Sequence, residues 1–133
     1  MKLYLYTDGG SRNNPGPSAS GIVIKNEEGD VVTAYGEYLG IQTNNYAEYM
    51  AAISALEKAK ELGATEVELV VDSKLVCEQL NRNWKVKHPN IQPLFIKAWN
   101  AMHEFKKIKI KHTLREGNKE ADAEVNKILD ANV

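Results

Sequence analysis

The alternation of apolar and polar residues along the chain predicts an α/β protein. Short runs with a two-residue period, rich in β-branched and aromatic residues, predict strands, whereas longer runs of helix formers with one apolar face predict helices. The runs typical of strands are residues 2–7, 18–25, 31–39, 66–71 and 107–114. The runs typical of helices are residues 43–62, 73–80, 91–106 and 119–129, with irregular segments at 81–90 and 115–118.

The order of these elements limits the topology. Short turns join the first three strands, which therefore form an antiparallel meander, and the long helix then crosses over to a fourth strand parallel to the first. Lysines alternate with isoleucines along residues 107–111, which is typical of an exposed sheet edge. A chain of 133 residues can bury a core without disulfides, so we expect one domain spanning residues 1–133.

Four acidic residues stand at the ends of predicted elements. Asp8 ends the first strand and precedes a polar turn, and Asp72 ends the fourth strand. Because neighbouring parallel strands end at one edge of a sheet, these two carboxylates should lie side by side. Glu48 falls in the first turn of the long helix and Asp122 near the start of the last helix. Asp8 alone would also fit a strand end capped by an Asx-turn, so its role depends on whether the other acids converge on it.

An all-carboxylate cluster predicts a particular kind of metal site. Clustered carboxylates repel one another unless cations neutralise them, and their oxygens suit hard divalent ions, above all Mg²⁺. The histidines His88, His103 and His112 are scattered singly, and no Cys/His spacing indicates zinc. The single cysteine, Cys77, lies in an apolar helical pattern and reads as a buried thiol in a reducing compartment.

The net charge of −1 hides a basic segment. Residues 82–112 hold 8 Lys and Arg against 1 acidic residue, whereas residues 1–81 hold 6 against 12. This segment, which includes Trp84 and Trp99, could contact a polyanion or could be a solvated lysine-rich face. No signal peptide and no membrane-spanning run is found, so we expect a cytoplasmic protein without membrane contact.

The motifs around the four acids resemble those of type 1 ribonuclease H. They are Thr7-Asp8-Gly9-Gly10-Ser11 with Asn14-Pro15-Gly16, Thr43-Asn44-Asn45-x-Ala47-Glu48, Val71-Asp72-Ser73 and Asn118-x-x-Ala121-Asp122. The resemblance implies a ribonuclease H-like fold, with a five-stranded mixed sheet in the order 3-2-1-4-5 flanked by helices. It also implies an endonuclease that cuts the RNA strand of RNA/DNA hybrids and leaves 5′-phosphate and 3′-hydroxyl ends.

The resemblance assigns metal-binding and catalytic roles to the acids. Asp8 would bridge two Mg²⁺ ions, with Mn²⁺ as an alternative, and Glu48 and Asp72 would complete the metal site on the leaving-group side. Asp122 would hold the metal that activates the attacking water. Two such functions need two ions a few ångströms apart, and hence a shared ligand.

The resemblance also assigns the substrate contacts. Gly10, Asn14, Asn44 and Asn45 match positions that read the minor groove of the hybrid, and Glu48 matches a residue that contacts the 2′-hydroxyl. Ser11, Thr43 and Asn44 match a pocket for a DNA-strand phosphate, although Ile41 stands where some relatives have a basic residue.

Two departures from the family pattern concern the second half of the chain. Only residues 82–90 occupy the place of the basic insertion of many bacterial members. Trp84, Lys85 and Lys87 would therefore form a smaller basic surface for nucleic-acid binding than that insertion does. A short turn replaces the family's histidine-bearing loop. Arg115 is therefore the better candidate for a substrate or product contact there, with a simple surface salt bridge as the alternative, because His112 lies too early and on the predicted strand.

Two other functions stay open at this point. A nuclease acting on double-stranded RNA or on DNA could use the same four acids, and a module that binds hybrids without cleaving them would be expected to have a damaged acid set. All four acids are present. We expect a monomeric enzyme whose partner is an RNA/DNA hybrid.

Overall fold

The computed structural model describes residues 1–132 and contains one five-stranded mixed sheet. The strand order is β3-β2-β1-β4-β5, as predicted, with β1 antiparallel to β2 and parallel to β4. The elements are β1 (Lys2–Ser11), β2 (Gly16–Lys25), β3 (Val31–Gln42), α1 (Asn44–Glu61), β4 (Glu66–Val71), α2 (Lys74–Leu80), α3 (Gln92–Met102), β5 (Lys107–His112), a 3₁₀ turn (Arg115–Asn118) and α4 (Lys119–Asn132).

The end of the first strand differs from the prediction. Residues 9–11 were expected to form a turn after Asp8, but β1 continues to Ser11 because it stays paired with β2, Asp8 opposite Gly21 and Ser11 opposite Ser18. The parallel pairing with β4 ends earlier, at Thr7 opposite Val71. Asp8 is therefore inside a strand, yet it still lies just beyond the end of the parallel part of the sheet.

Other boundaries differ as well: β2 begins at Gly16 rather than at residue 18, and α4 extends to Asn132 rather than to residue 129. Strand β3 runs to Gln42 rather than to residue 39, because its last residues pair with the start of β2 at Gly16. Helix α3 ends at Met102 rather than at residue 106, where the main chain turns and Lys106 N donates to Thr65 O at 2.9 Å to enter β5. Strand β5 ends at His112, two residues early.

The two faces of the sheet carry unequal cores. Helix α1 buries Tyr49, Ile53 and Leu56 against β1 and its neighbours, together with residues of α2 and α3. Helix α4 covers the other face with a small cluster in which Val125 and Leu129 pack on Ala19. Helix α1 therefore packs on the sheet through a larger core than α4 does.

A close approach of two backbones sets the position of α1. A Cβ atom on Gly9 would lie 2.3 Å from the carbonyl carbon of Ala47, so no larger residue fits between the strand and the helix. This contact places Glu48 directly over β1, where the main-chain N–H of Gly9 donates to its Oε1 at 3.3 Å. Within residues 1–132, none of the helices combines the length and apolar character needed to span a bilayer.

Candidate metal and nucleic-acid site

Three of the predicted acids converge above the sheet. Asp8 of β1, Glu48 of α1 and Asp72, which directly follows β4, each offer a carboxylate oxygen, and these oxygens all lie within 4.8 Å of one another. Asp72 is held there because Ser73 caps α2, its hydroxyl accepting a hydrogen bond from Val76 N at 3.2 Å. The predicted neighbourhood of Asp8 and Asp72 therefore follows from the parallel pairing of β1 with β4.

Burial makes the charges of this cluster costly. Asp8 is 6% exposed and Glu48 is 9% exposed. Burial, together with the charge of Asp72, raises the pKa of Asp8 to about 8. Burial and the charges of Asp72 and Asp8 raise the pKa of Glu48 well above its usual range. Burial also raises the pKa of Asp72, although hydrogen bonds with Asp8 and with its own main chain, and to a smaller extent the charge of Arg115, oppose the rise.

This donor set fits a divalent cation. Among the residues that the structure describes, Glu48 Oε2 and Asp72 Oδ1 are buried oxygens without a hydrogen-bond partner. Buried acceptors normally find donors, so two orphaned oxygens in one cluster point to a ligand that supplies positive charge. Oxygen ligands of this kind suit Mg²⁺ or Mn²⁺.

The fourth acid, Asp122, lies on the rim of the same cavity but outside the cluster of three. It contacts Asp8, and its Oδ1 is 3.6 Å from Arg115 Nη2. Its Oδ2 accepts a hydrogen bond from Asn126 Nδ2 at 3.3 Å. Asn126 is not among the site residues predicted from the sequence, although its spacing of one helical turn from Asp122 could have indicated the contact.

Asn118 anchors the segment that carries Asp122. Its buried side chain donates from Nδ2 to the main-chain oxygen of Thr7 at 2.6 Å, next to Asp8. The contact joins the 3₁₀ turn before α4 to the centre of the sheet. Asn118 belongs to one of the motifs quoted above, but only the structure shows this hydrogen bond.

A chain of amide contacts joins β1 to the start of α1. Asn44 Oδ1 accepts from Ser11 N at 2.7 Å, and Asn44 N donates to Asn14 Oδ1 at 2.9 Å. The cap of α1 is Thr43, whose hydroxyl accepts from Tyr46 N at 3.2 Å, so Asn44 braces the adjoining loop instead of capping the helix. The Ser11 hydroxyl donates to the main-chain oxygen of Gln42 at 2.9 Å.

The predicted site residues line three depressions, two of which adjoin. The acid cavity is lined by Asp8, Gly10, Ser11, Asn44, Asn45, Glu48, Asp72, Arg115 and Asp122. Asn45 also lines an adjoining groove with Asn14, Thr43, His88 and Asn90, which makes the two depressions continuous. Trp84 and Lys85 do not reach the acid cavity and instead line a third groove beside α3.

His112 lies nearer to the site than its early position in the sequence suggests. It is the last residue of β5, as expected for a strand residue, and its Nε2 lies 3.3 Å from the main-chain oxygen of Asp72. The side chain of Arg115 is 80% exposed, and its guanidinium group lies near Asp122. The structure thus places Arg115, but not the imidazole of His112, in the acid cavity.

Comparisons with known proteins agree with this geometry. A family model described as reverse transcriptase-like matches residues 6–128. A bifunctional protein of Mycobacterium tuberculosis is 41% identical over 132 residues, which cover 98% of this chain and 36% of that protein. Ribonuclease HI of Halobacterium salinarum is 40% identical over 129 residues, which cover 97% of this chain and 65% of that enzyme.

Solved structures show the same fold at high similarity. The crystal structure of the Halobacterium salinarum enzyme matches with a TM-score of 0.96 and 39% identity, covering 98% of this chain and 99% of that one. LC11-RNase H1, solved in complex with an RNA/DNA hybrid, matches with a TM-score of 0.92 and 38% identity, covering 97% of each chain.

The sheet order and the converging acids define an α/β protein with the ribonuclease H fold. Since the similarity extends over nearly the whole chain, the chain belongs to the ribonuclease H family. It spans only about a third of the length of the mycobacterial relative.

Proposed function

We propose that this chain is a metal-dependent endonuclease that hydrolyses the RNA strand of RNA/DNA hybrids. The observation that carries the proposal is the cluster of Asp8, Glu48 and Asp72, with two orphaned buried oxygens, on a fold that matches a hybrid-bound ribonuclease H1. The products would be 5′-phosphate and 3′-hydroxyl ends.

The acids would hold two divalent ions, Mg²⁺ or Mn²⁺. Bound there, the ions would neutralise the carboxylates, lower the pKa of water and stabilise negative charge on the departing 3′-oxygen. Asp8 interacts with Glu48, Asp72 and Asp122, so it would be the ligand that the two ions share. Glu48 and Asp72 would complete one site, and Asp122, on the rim, would serve the other.

The neutral groups beside the acids suit the substrate. Gly10 exposes main chain, and the amides of Asn14, Asn44 and Asn45 offer donors and acceptors without added negative charge. Such groups can bind 2′-hydroxyls and base edges that many sequences share, so recognition would depend on the shape of the duplex.

Positive charge would supply much of the affinity. Arg115 at the acid cavity and Lys85 on the loop before α3 would contact the phosphate backbone, and Trp84 would stack near it. The neutral hydroxyls of Ser11, in the acid cavity, and of Thr43, in the adjoining groove, would add hydrogen bonds to phosphate. We further propose that residues 1–133 form one domain, because one sheet supports both cores, and that this domain acts as a monomer.

Gel analysis of labelled duplexes tests the proposal. RNA/DNA, RNA/RNA and DNA/DNA substrates are each incubated with Mg²⁺, Mn²⁺ or EDTA, and we expect cleavage of the RNA strand of the hybrid only when metal is present. Asp8→Asn should abolish cleavage, whereas Asp30→Asn, an exposed acid in the β2–β3 turn, should not. Cleavage of RNA/RNA or DNA/DNA alone would identify a different nuclease, and hybrid binding without cleavage would identify a binding module.

A further inference from the structure

Gln79 is a buried amide that connects the core to an irregular loop. It lies on α2 and is 6% exposed, without any role in the metal site described above. The hydroxyl of the fully buried Tyr49 donates to Gln79 Oε1 at 2.6 Å. Gln79 Nε2 donates to the main-chain oxygen of Lys85 at 3.3 Å. With its oxygen turned toward Tyr49, the amide can only present its N–H groups to the loop.

The loop has no regular structure between α2 and α3. Its start is fixed by main-chain hydrogen bonds from Asn83 N and Trp84 N to the oxygen of Glu78, at 2.9 and 3.2 Å. Within residues 1–132, the middle of the loop is held by side-chain contacts: Gln79 Nε2 donates to the oxygen of Lys85, Gln92 Nε2 donates to the oxygen of Val86 at 3.0 Å, and the Val86 side chain packs against the larger core. Of these two glutamines only Gln79 is buried.

The loop borders the surface proposed for the hybrid. Trp84 is 44% exposed, and Lys85 and Lys87 are exposed beside it. Further along the same loop, His88 and Asn90 line the groove that runs into the acid cavity. A displaced loop would therefore carry its basic and aromatic side chains away from a bound duplex.

We infer that Gln79 is a positioning residue that holds the Trp84–Lys85 loop in the conformation that binds the nucleic acid. The inference rests on the proposed function, because it needs a hybrid to bind beside this loop. Gln79 would not touch the substrate. An ordered loop gives up less conformational freedom on binding than a mobile one, so loss of the anchor should weaken binding and leave the chemical step unchanged.

Gln79→Met tests this, because methionine has a similar length and makes neither hydrogen bond. We expect KM for the hybrid to rise roughly three- to tenfold, the worth of about one hydrogen bond, with kcat changed less than about twofold. In the free protein, hydrogen exchange at residues 83–91 should become faster. Tyr49→Phe is the matched control, because it removes a hydrogen bond of the same buried pair while Gln79 can still bind Lys85; its KM should stay within about twofold of the wild type.

A change in the loop itself shows whether Gln79 acts through it. In a Trp84→Ala, Lys85→Ala background, Gln79→Met should add less than about twofold to KM, since the side chains it positions are gone. If Gln79→Met does not fold, Gln79→Leu replaces it, because leucine is also apolar and can neither accept from Tyr49 nor donate to Lys85. The same rise in KM is expected.

The outcomes separate this inference from the proposed function. Wild-type protein that cleaves hybrids, with an unchanged KM in the folded Gln79 variant, overturns the inference alone. An equal rise in KM for Tyr49→Phe also overturns it, because the effect would then follow general loosening of the core. Wild-type protein that cleaves no hybrid would overturn the proposed function directly.

Discussion

Replacing Asp8 by asparagine should stabilise the metal-free protein while removing its activity. The carboxyl group of Asp8 is buried beside two other acids, so the folded protein resists its ionisation. Asparagine has nearly the same shape, carries no charge and can donate from its amide to Glu48 or Asp72. The substitution therefore exchanges a repelled charge for a neutral donor.

The size of the effect follows from the pKa of Asp8, which rises from the ordinary 3.8 to about 8 in the folded protein. Because the folded state holds this proton more tightly than the unfolded state, stability falls as the pH rises from about 4 to about 8. A rise of that size corresponds to a cost of up to about 6 kcal/mol at higher pH. Glu48 and Asp72 share the repulsion, so we expect Asp8→Asn to recover roughly 2–4 kcal/mol, or about 5–15 °C in Tm.

Thermal unfolding followed by circular dichroism measures this effect. Wild type and Asp8→Asn are compared at pH 5, 7 and 8.5, each in EDTA and in MgCl₂, with Asp30→Asn as the control for an exposed acid. In EDTA the gain in Tm should be small at pH 5 and largest at pH 8.5. Mg²⁺ should raise the Tm of the wild type and have much less effect on Asp8→Asn, because a ligand is lost.

Two results would refute this reasoning. A lower Tm for Asp8→Asn at pH 8.5 in EDTA would mean that the carboxylate is stabilised by its surroundings, contrary to the raised pKa. An equal gain at all three pH values would mean that the stabilisation does not come from removing a titrating charge.

Three further predictions concern neighbouring residues. Gly9→Ala should lower the free energy of unfolding by more than about 2 kcal/mol, because its Cβ would lie 2.3 Å from the carbonyl carbon of Ala47; an unchanged urea midpoint would contradict this. Asn118→Ala should lower kcat more than it raises KM, because α4 loses its 2.6 Å anchor to Thr7, and equal kcat values would show that α4 is held without it. Asn44→Asp should leave Tm nearly unchanged, since its carboxylate can still accept from Ser11 N, yet raise KM for the hybrid by repelling phosphate; an unchanged KM at low salt would remove this residue from the substrate surface.

Much of the architecture was predictable from local patterns. The two-residue and 3.6-residue periods located the strands and helices, and the crossover over α1 predicted that β4 is parallel to β1. From that pairing the neighbourhood of Asp8 and Asp72 follows directly. Periodicity depends on residues close together in the sequence, so it can be seen without knowing any long-range contact.

The errors lie where a distant segment decides the local conformation. Residues 9–11 look like a turn by composition, but pairing with β2 keeps them extended. Local patterns also do not show that Asn44, beside the Thr43 cap of α1, accepts a hydrogen bond from Ser11 N, 33 residues earlier in the chain. Likewise, α3 ends at Met102 and not at residue 106, because the chain turns there and Lys106 bonds to the distant Thr65 on the way into β5.

By itself, then, the sequence determined which chemical groups the protein carries, the order of its elements and the strand ends near which its acids meet. The tertiary structure decided how strongly those acids interact, because burial and mutual distance exist only after folding. It also separated Trp84 and Lys85 from the acid cavity and connected their loop to the core through Gln79. Side-chain hydrogen bonds of this kind join residues that no local pattern relates, so only the folded chain reveals them.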